Sequence, residues 1–195
     1  MEFLSFPLRR PPTRRAIRAA LGASASVLAA LASAAALAQG IALEQAVKAT
    51  YLYKIAAFVE WPAGTFDSPT APVVICVTGN DPVGAVVEEA VSGQRANGRE
   101  FEVRRLATGA SSTGCHMLYM PVQGVATAAR LGTARGTPVL TVTDAAREAG
   151  GQGIINFVNV DNRVRFEIDL RAAAENQLEI SSKLLNIASK VRPRT

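Results

Sequence analysis

The chain has 195 residues, with 21 Lys and Arg against 16 Asp and Glu and a single histidine. Its formal charge of +5 is concentrated at the start: residues 1–38 hold five arginines and one glutamate, and the remaining 157 residues carry 16 basic groups against 15 acidic ones. A nearly neutral chain with no basic stripe interleaved with aromatics excludes an electrostatic footprint for nucleic acid, and its length suits one domain with a core of its own.

Residues 1–38 read as an export signal. Arg9, Arg10, Arg14, Arg15 and Arg18 form a basic n-region, Ala19 to Ala35 is an uncharged Ala/Leu run, and Ala36-Leu37-Ala38 supplies a small-x-small cleavage site before Gln39. A membrane anchor is the competing reading, but no second apolar span follows. The paired arginines at Arg14-Arg15 leave both the general and the twin-arginine export routes open. The mature chain, residues 39–195, is expected to be exported, so that Cys76 and Cys115 would meet an oxidising compartment, where a disulfide is the default. Such a bond requires the fold to bring the two Cα atoms within about 7 Å.

The first predicted element is a helix ending near Glu60. At 100° per residue, Val47, Phe58, Tyr51, Ile55, Val59 and Leu52 fall within an arc of roughly 140°, interrupted only by Lys48. Ala49, Ala56 and Ala57 make the opposite side small. Pro62 forces Trp61 out of the α region and places the indole at the helix's C-terminal corner. Because this stretch gathers two of the three tyrosines and the only tryptophan, Tyr51, Tyr53, Phe58 and Trp61 are candidates for a partner or dimer interface.

Val73 to Val77 is a continuous apolar run that predicts a strand buried on both faces. Asp81 as N-cap and Pro82 at the first helical position then open a helix carrying Val83, Val86, Val87, Ala90 and Val91. Glu100 to Leu106 alternates as a more exposed strand. Met117 to Met120 and Val139 to Thr143 predict buried strands, with a helix over Val125 to Leu131 between them and a helical turn or two over Ala145 to Ala149. Ile154 to Val160 and Arg163 to Leu170 are alternating runs joined by Asp161-Asn162, an antiparallel hairpin. A last helix is expected over Ser181 to Val191, with Leu184, Leu185, Ile187, Ala188 and Val191 on one face. The fold class is α/β: a single three-layer domain with about six strands in a mostly parallel sheet, a C-terminal antiparallel hairpin, and flanking helices.

Little in this chain points to chemistry. His116 beside Cys115 cannot close a zinc site without further ligands, and neighbours on a strand point to opposite faces, which argues against a Cys–His nucleophile. Gly79 follows a strand and precedes a helix, as in phosphate loops, but Val77 to Pro82 lacks further glycines, Pro82 removes a donor, and Asp81 places negative charge where phosphate would sit. Gly150-Gly151-Gln152-Gly153 precedes a strand and reads as a flexible entry to the hairpin. No catalytic residue, metal site or cofactor is expected. A small-molecule crevice at the carboxyl ends of the strands, near Gly79, Asn80, Asp81 and Asp144, is the alternative to a protein-binding function.

Several blocks, in order over nearly the whole mature chain, resemble the YfiR-like periplasmic proteins. They are Tyr51-Leu52-Tyr53 with Phe58 to Pro62, Ile75 to Pro82, Cys115, Pro138 to Asp144, Gly150 to Phe157, Arg163 to Ile168, and Ile180 to Leu185. The resemblance implies an exported α/β protein, often a homodimer, that restrains an inner-membrane diguanylate cyclase by binding its periplasmic portion and so lowers cyclic-di-GMP signalling and biofilm formation. Cys76 and Cys115 match an internal disulfide of the family. A second cysteine pair found in some members is absent here.

Overall fold

The computed structural model describes residues 39, 42–79, 82–107, 109–121, 125–144 and 151–194. The expected signal segment, the turn over 145–149, Asn80 and Asp81 lie outside the described residues. The chain divides into two units, Met1–Ala42 and Leu43–Thr195. Helix α1 covers residues 42–56, followed by β1 (Val59–Glu60), β2 (Val73–Thr78), α2 (Pro82–Val91), β3 (Arg95–Ala96), β4 (Arg99–Leu106) and β5 (Met117–Met120). The second half adds α3 (Val125–Ala134), β6 (Leu140–Thr143), β7 (Ile155–Val160), β8 (Arg163–Asp169), α4 (Leu170–Glu175), β9 (Glu179–Ile180), α5 (Ser182–Leu185) and β10 (Lys190–Arg192).

The main sheet runs in the order β10-β8-β7-β6-β5-β2-β4-β3. Its interior is parallel, with β2 between β4 and β5 and β6 joining β5 to β7. Strands β2, β5 and β6 are buried on both faces, which is why they read as unbroken apolar runs rather than alternating ones. On one face Ile75, Val77, Met117, Tyr119, Leu140, Val142, Ile155 and Phe157 pack with Leu52 and Ile55 of α1 and Val83 and Val87 of α2. On the other, Val74, Cys76, Leu118 and Met120 pack with Cys115, Leu106, Val139 and Ala134. Cys76 in β2 and Cys115 in the loop before β5 are joined by a disulfide across a Cα separation of 5.8 Å.

The structure corrects the sequence reading in several places. The main sheet has eight strands among the described residues rather than about six, and β1 and β9 form a separate antiparallel pair. Helix α1 stops at residue 56: the N–H groups of Ala57 and Phe58 bond to Lys54 and Ile55, tightening the last turn, and Ser181 N–H bonds to Phe58 C=O, drawing Val59 into pairing with Ile180. The expected helix over 181–191 is only α5, because Lys190 to Arg192 pair in parallel with Glu167 to Asp169. Helix α4, capped by Asp169 through a 2.9 Å bond from Ala172 N–H, was not expected: its first residue, Leu170, falls at the end of the predicted strand and the rest in no predicted element. The glycine loop before β7 is packed at its end: Gly153 is buried, and a Cβ there would lie 2.7 Å from the Thr141 carbonyl oxygen. Close backbone approach, not flexibility, requires that glycine.

Candidate interaction surface

Helix α1 lies on the sheet with its small side inward. Ala49, Leu52, Ile55 and Ala56 are each 0–1% exposed, while Val47 and Tyr51 are half-buried and Leu43 is 67% exposed. The buried stripe is thus rotated from the most hydrophobic arc toward the alanines. A hydropathy wheel ranks side chains by transfer energy, whereas packing on a sheet also favours small residues that let the backbone approach closely.

The four aromatic candidates are not gathered into one patch. The Tyr51 ring meets Phe166 edge-on at 5.4 Å and Phe157 at 6.0 Å, over the β7–β8 hairpin. The Tyr53 ring meets Phe101 of β4 at 6.2 Å, four strands away from β7 in the sheet order. Two positions apart on a helix point about 160° from each other, so Tyr51 and Tyr53 straddle α1. Phe58 packs on the core, and the Trp61 ring meets Phe66 at 5.7 Å. The buried Trp61 Nε1 has no hydrogen-bond partner among the described residues.

Lys48, which interrupted the apolar arc of α1, is 8% exposed. Its ammonium lies 2.5 Å from Glu44 Oε1 and 2.5 Å from Asp144 Oδ2, just past β6. Tyr119 Oη donates to the same Asp144 oxygen at 3.3 Å. Burial alone would depress the Lys48 pKa, but hydrogen bonds to Asp144 and Glu44, with their charges, outweigh it and hold the ammonium above the usual lysine value. The sheet order reverses between β2 and β5, where folds of this kind bind ligands beyond the carboxyl ends of the strands. Of the crevice candidates, Asp144 there is engaged by the protein's own lysine, and Gly79, at φ 76, bonds through its N–H to Leu106 C=O. Asn80 and Asp81 lie outside the described residues.

His116 sits beside the disulfide but is committed elsewhere. Its Nδ1 accepts from Val74 N–H at 3.0 Å and Nε2 faces the Thr65 carbonyl at 3.4 Å, so the ring is neutral with the proton on Nε2. The imidazole stacks on Phe66 at 4.3 Å, and Arg99 Cζ lies 3.8 Å from the centre of the same Phe66 ring. Burial, chiefly, lowers the His116 pKa; nearby Arg99 and Arg104 add to this, against the Thr65 carbonyl and Asp67. With Cys115 in the disulfide, the Cys–His pair has no thiolate. No group of three or more His, Cys, Asp or Glu side chains capable of holding a metal occurs among the described residues.

An aromatic-bearing first helix, a parallel sheet pinned by one disulfide and a C-terminal hairpin coincide with a match to the YfiR/HmsC-like family over residues 45–189. The chain belongs to that family. The match runs from within α1 to the residue before β10, so every element described here except β10 falls wholly or partly within it. YfiR/HmsC-like proteins are regulatory proteins rather than enzymes. No curated protein matches this chain. No helix among its described residues is long and apolar enough to cross a membrane.

Proposed function

We propose that this YfiR/HmsC-like chain is a periplasmic regulatory binding protein that restrains an inner-membrane diguanylate cyclase by contact with its periplasmic portion, lowering cyclic-di-GMP and biofilm formation. The observation that carries the reading is the family match over residues 45–189. Residues 1–38 act as a cleaved export signal, which delivers the chain to the compartment where such a contact and the Cys76–Cys115 bond can form.

Contact with the cyclase, or between two copies of the chain, uses the outward side of α1. Leu43 stands 67% exposed there, followed by the exposed Ala46, with Val47 and Tyr51 half-buried beside them. A hollow of about 360 Å³ is lined by Ala46, Val47, Thr50, Tyr51 and Lys54. Of the aromatic candidates, Tyr51 borders this side; Tyr53, Phe58 and Trp61 are held by their own neighbours and act through α1's placement. The test is capture of the detergent-solubilised cyclase by the purified chain. Wild type is expected to retain the cyclase, and Leu43→Glu with Val47→Glu to weaken capture about tenfold or more, with the melting temperature unchanged. Equal capture by both proteins would remove α1 from the contact; no capture by wild type would contradict the cyclase reading.

A further inference from the structure

The β7–β8 hairpin extends beyond the sheet that holds it. Strand β6 pairs with β7 only at Ile155 and Asn156, and β10 pairs with β8 only from Glu167 to Asp169. The two hairpin strands pair with each other from Ile155↔Ile168 out to Val160↔Arg163. Among the described residues its outer rungs therefore form a ribbon with open edges.

The turn decides which backbone groups face out. Asp161 and Asn162 both take left-handed φ, 50° and 55°, a two-residue hairpin turn that makes Val160 and Arg163 a hydrogen-bonded pair. Alternation along an antiparallel ladder then turns the polar groups of Arg163 and Arg165 toward β7 and those of Val164 away from it. Phe166, the next outward-facing residue, fits this phase: its C=O accepts from Ser189 N–H at 2.9 Å and Ser189 Oγ at 2.8 Å. No backbone group among the described residues pairs with Val164 on that outward side. An unpaired edge of this kind is a template for another strand.

The side chains around the edge say what kind of strand. Arg163 and Arg165 bracket Val164, are exposed, and take part in no ion pair among the described residues, unlike Arg105, Arg171 and Arg192. Their face of the ribbon also carries Val158 opposite Arg165 and Val160, 44% exposed, opposite Arg163. Ile187, 59% exposed, precedes by two residues the Ser189 that caps the paired part of the edge. A second copy docking antiparallel about Val164 would set Arg163 against Arg165 of its mate, like charges directly opposite. Carboxylates at alternate positions of an incoming strand would instead flank both guanidiniums while its other side chains meet Val164.

We propose that the open edge of β8 at Val164 is a docking site for an extended, acidic segment of a partner protein, which adds as a strand in line with β10. This edge is separate from the outward side of α1, so it stands or falls independently of the cyclase reading. The probe is a synthetic peptide of alternating Glu and Val, titrated into the isotope-labelled protein while amide exchange is followed by NMR. Exchange at the Val164 amide is expected to slow about tenfold at saturation. Arg163→Glu with Arg165→Glu should weaken binding about tenfold without changing the melting temperature, and should bind the matching Lys/Val peptide better than wild type does. Methylation of alternate peptide nitrogens should abolish binding, since main-chain pairing needs those donors. Three results overturn the proposal: no protection at Val164 with millimolar peptide, equal affinity for the methylated peptide, or protection that follows protein concentration without peptide and so assigns the edge to a second copy.

Discussion

The centre of the sheet and its hairpin end are built on opposite terms. Strands β2, β5 and β6 are covered on both faces, and the Cys76–Cys115 bond ties β2 to the loop before β5. The β7–β8 ribbon is anchored at its base by Phe157 and Phe166 under Tyr51, while farther out Val160, Arg163 and Arg165 are exposed. Stability therefore resides in the centre and availability for contact at the periphery. Substitutions that remove hydrophobic or covalent links should cost folding energy at the first, and those that reverse charge should cost only binding at the second.

The sharpest way to break this contrast is to remove the disulfide. Cys76→Ala with Cys115→Ala opens a loop closed over a sequence separation of 39 and should lower stability by about 4 kcal/mol in the chain-entropy picture, read from urea unfolding. A loss below about 1 kcal/mol would show that packing around β2 does not depend on the bond. Next comes Gly153→Ala at the entry to β7, where the added Cβ meets the Thr141 backbone at 2.7 Å; it should cost about 2–3 kcal/mol, since a strand rather than a side chain must give way.

Lys48→Met should cost about 1–3 kcal/mol by leaving Asp144 and Glu44 without their shared cation. The pH dependence has a definite sign. A raised lysine pKa means the ammonium's contribution is complete below about 10.5 and is lost as pH climbs through the folded value. Alkaline titration should therefore destabilise wild type but leave Lys48→Met flatter. His116 acts on the acid side: its lowered pKa means the unfolded chain binds the proton more readily, so stability falls as pH drops from about 6.5 through the folded value. His116→Gln, which can accept from Val74 N–H without titrating, should flatten that limb. The smallest effect on stability, within about 0.5 kcal/mol, is expected for Arg163→Glu with Arg165→Glu, because both side chains are exposed and unpaired among the described residues.

The same contrast explains what could be read from sequence. The buried runs Val73 to Val77, Met117 to Met120 and Val139 to Thr143 announce central strands because burial on both faces leaves no alternation to misread. Asp161-Asn162 marks the hairpin turn, whose left-handed geometry these two residue types accept. The periphery was less legible. Residues 181–191 satisfy a helical pattern, yet β10 forms because β8 offers an edge to pair with, a tertiary contact that no local window contains. The Lys48–Asp144 pair spans 96 residues; its signal was the lysine breaking an apolar arc, which implies a buried charge and hence a partner. The open edge at Val164 follows from the lengths of the neighbouring strands together with the phase set by the Asp161-Asn162 turn.

The most direct test of the account is cyclic-di-GMP measured in cells that express the membrane diguanylate cyclase with and without this chain. The account predicts that the full chain lowers cyclic-di-GMP several-fold, and that deleting residues 1–38 abolishes the effect because the protein no longer reaches the periplasm. Unchanged cyclic-di-GMP with the full chain present in the periplasm, or equal repression by the chain lacking residues 1–38, would contradict it.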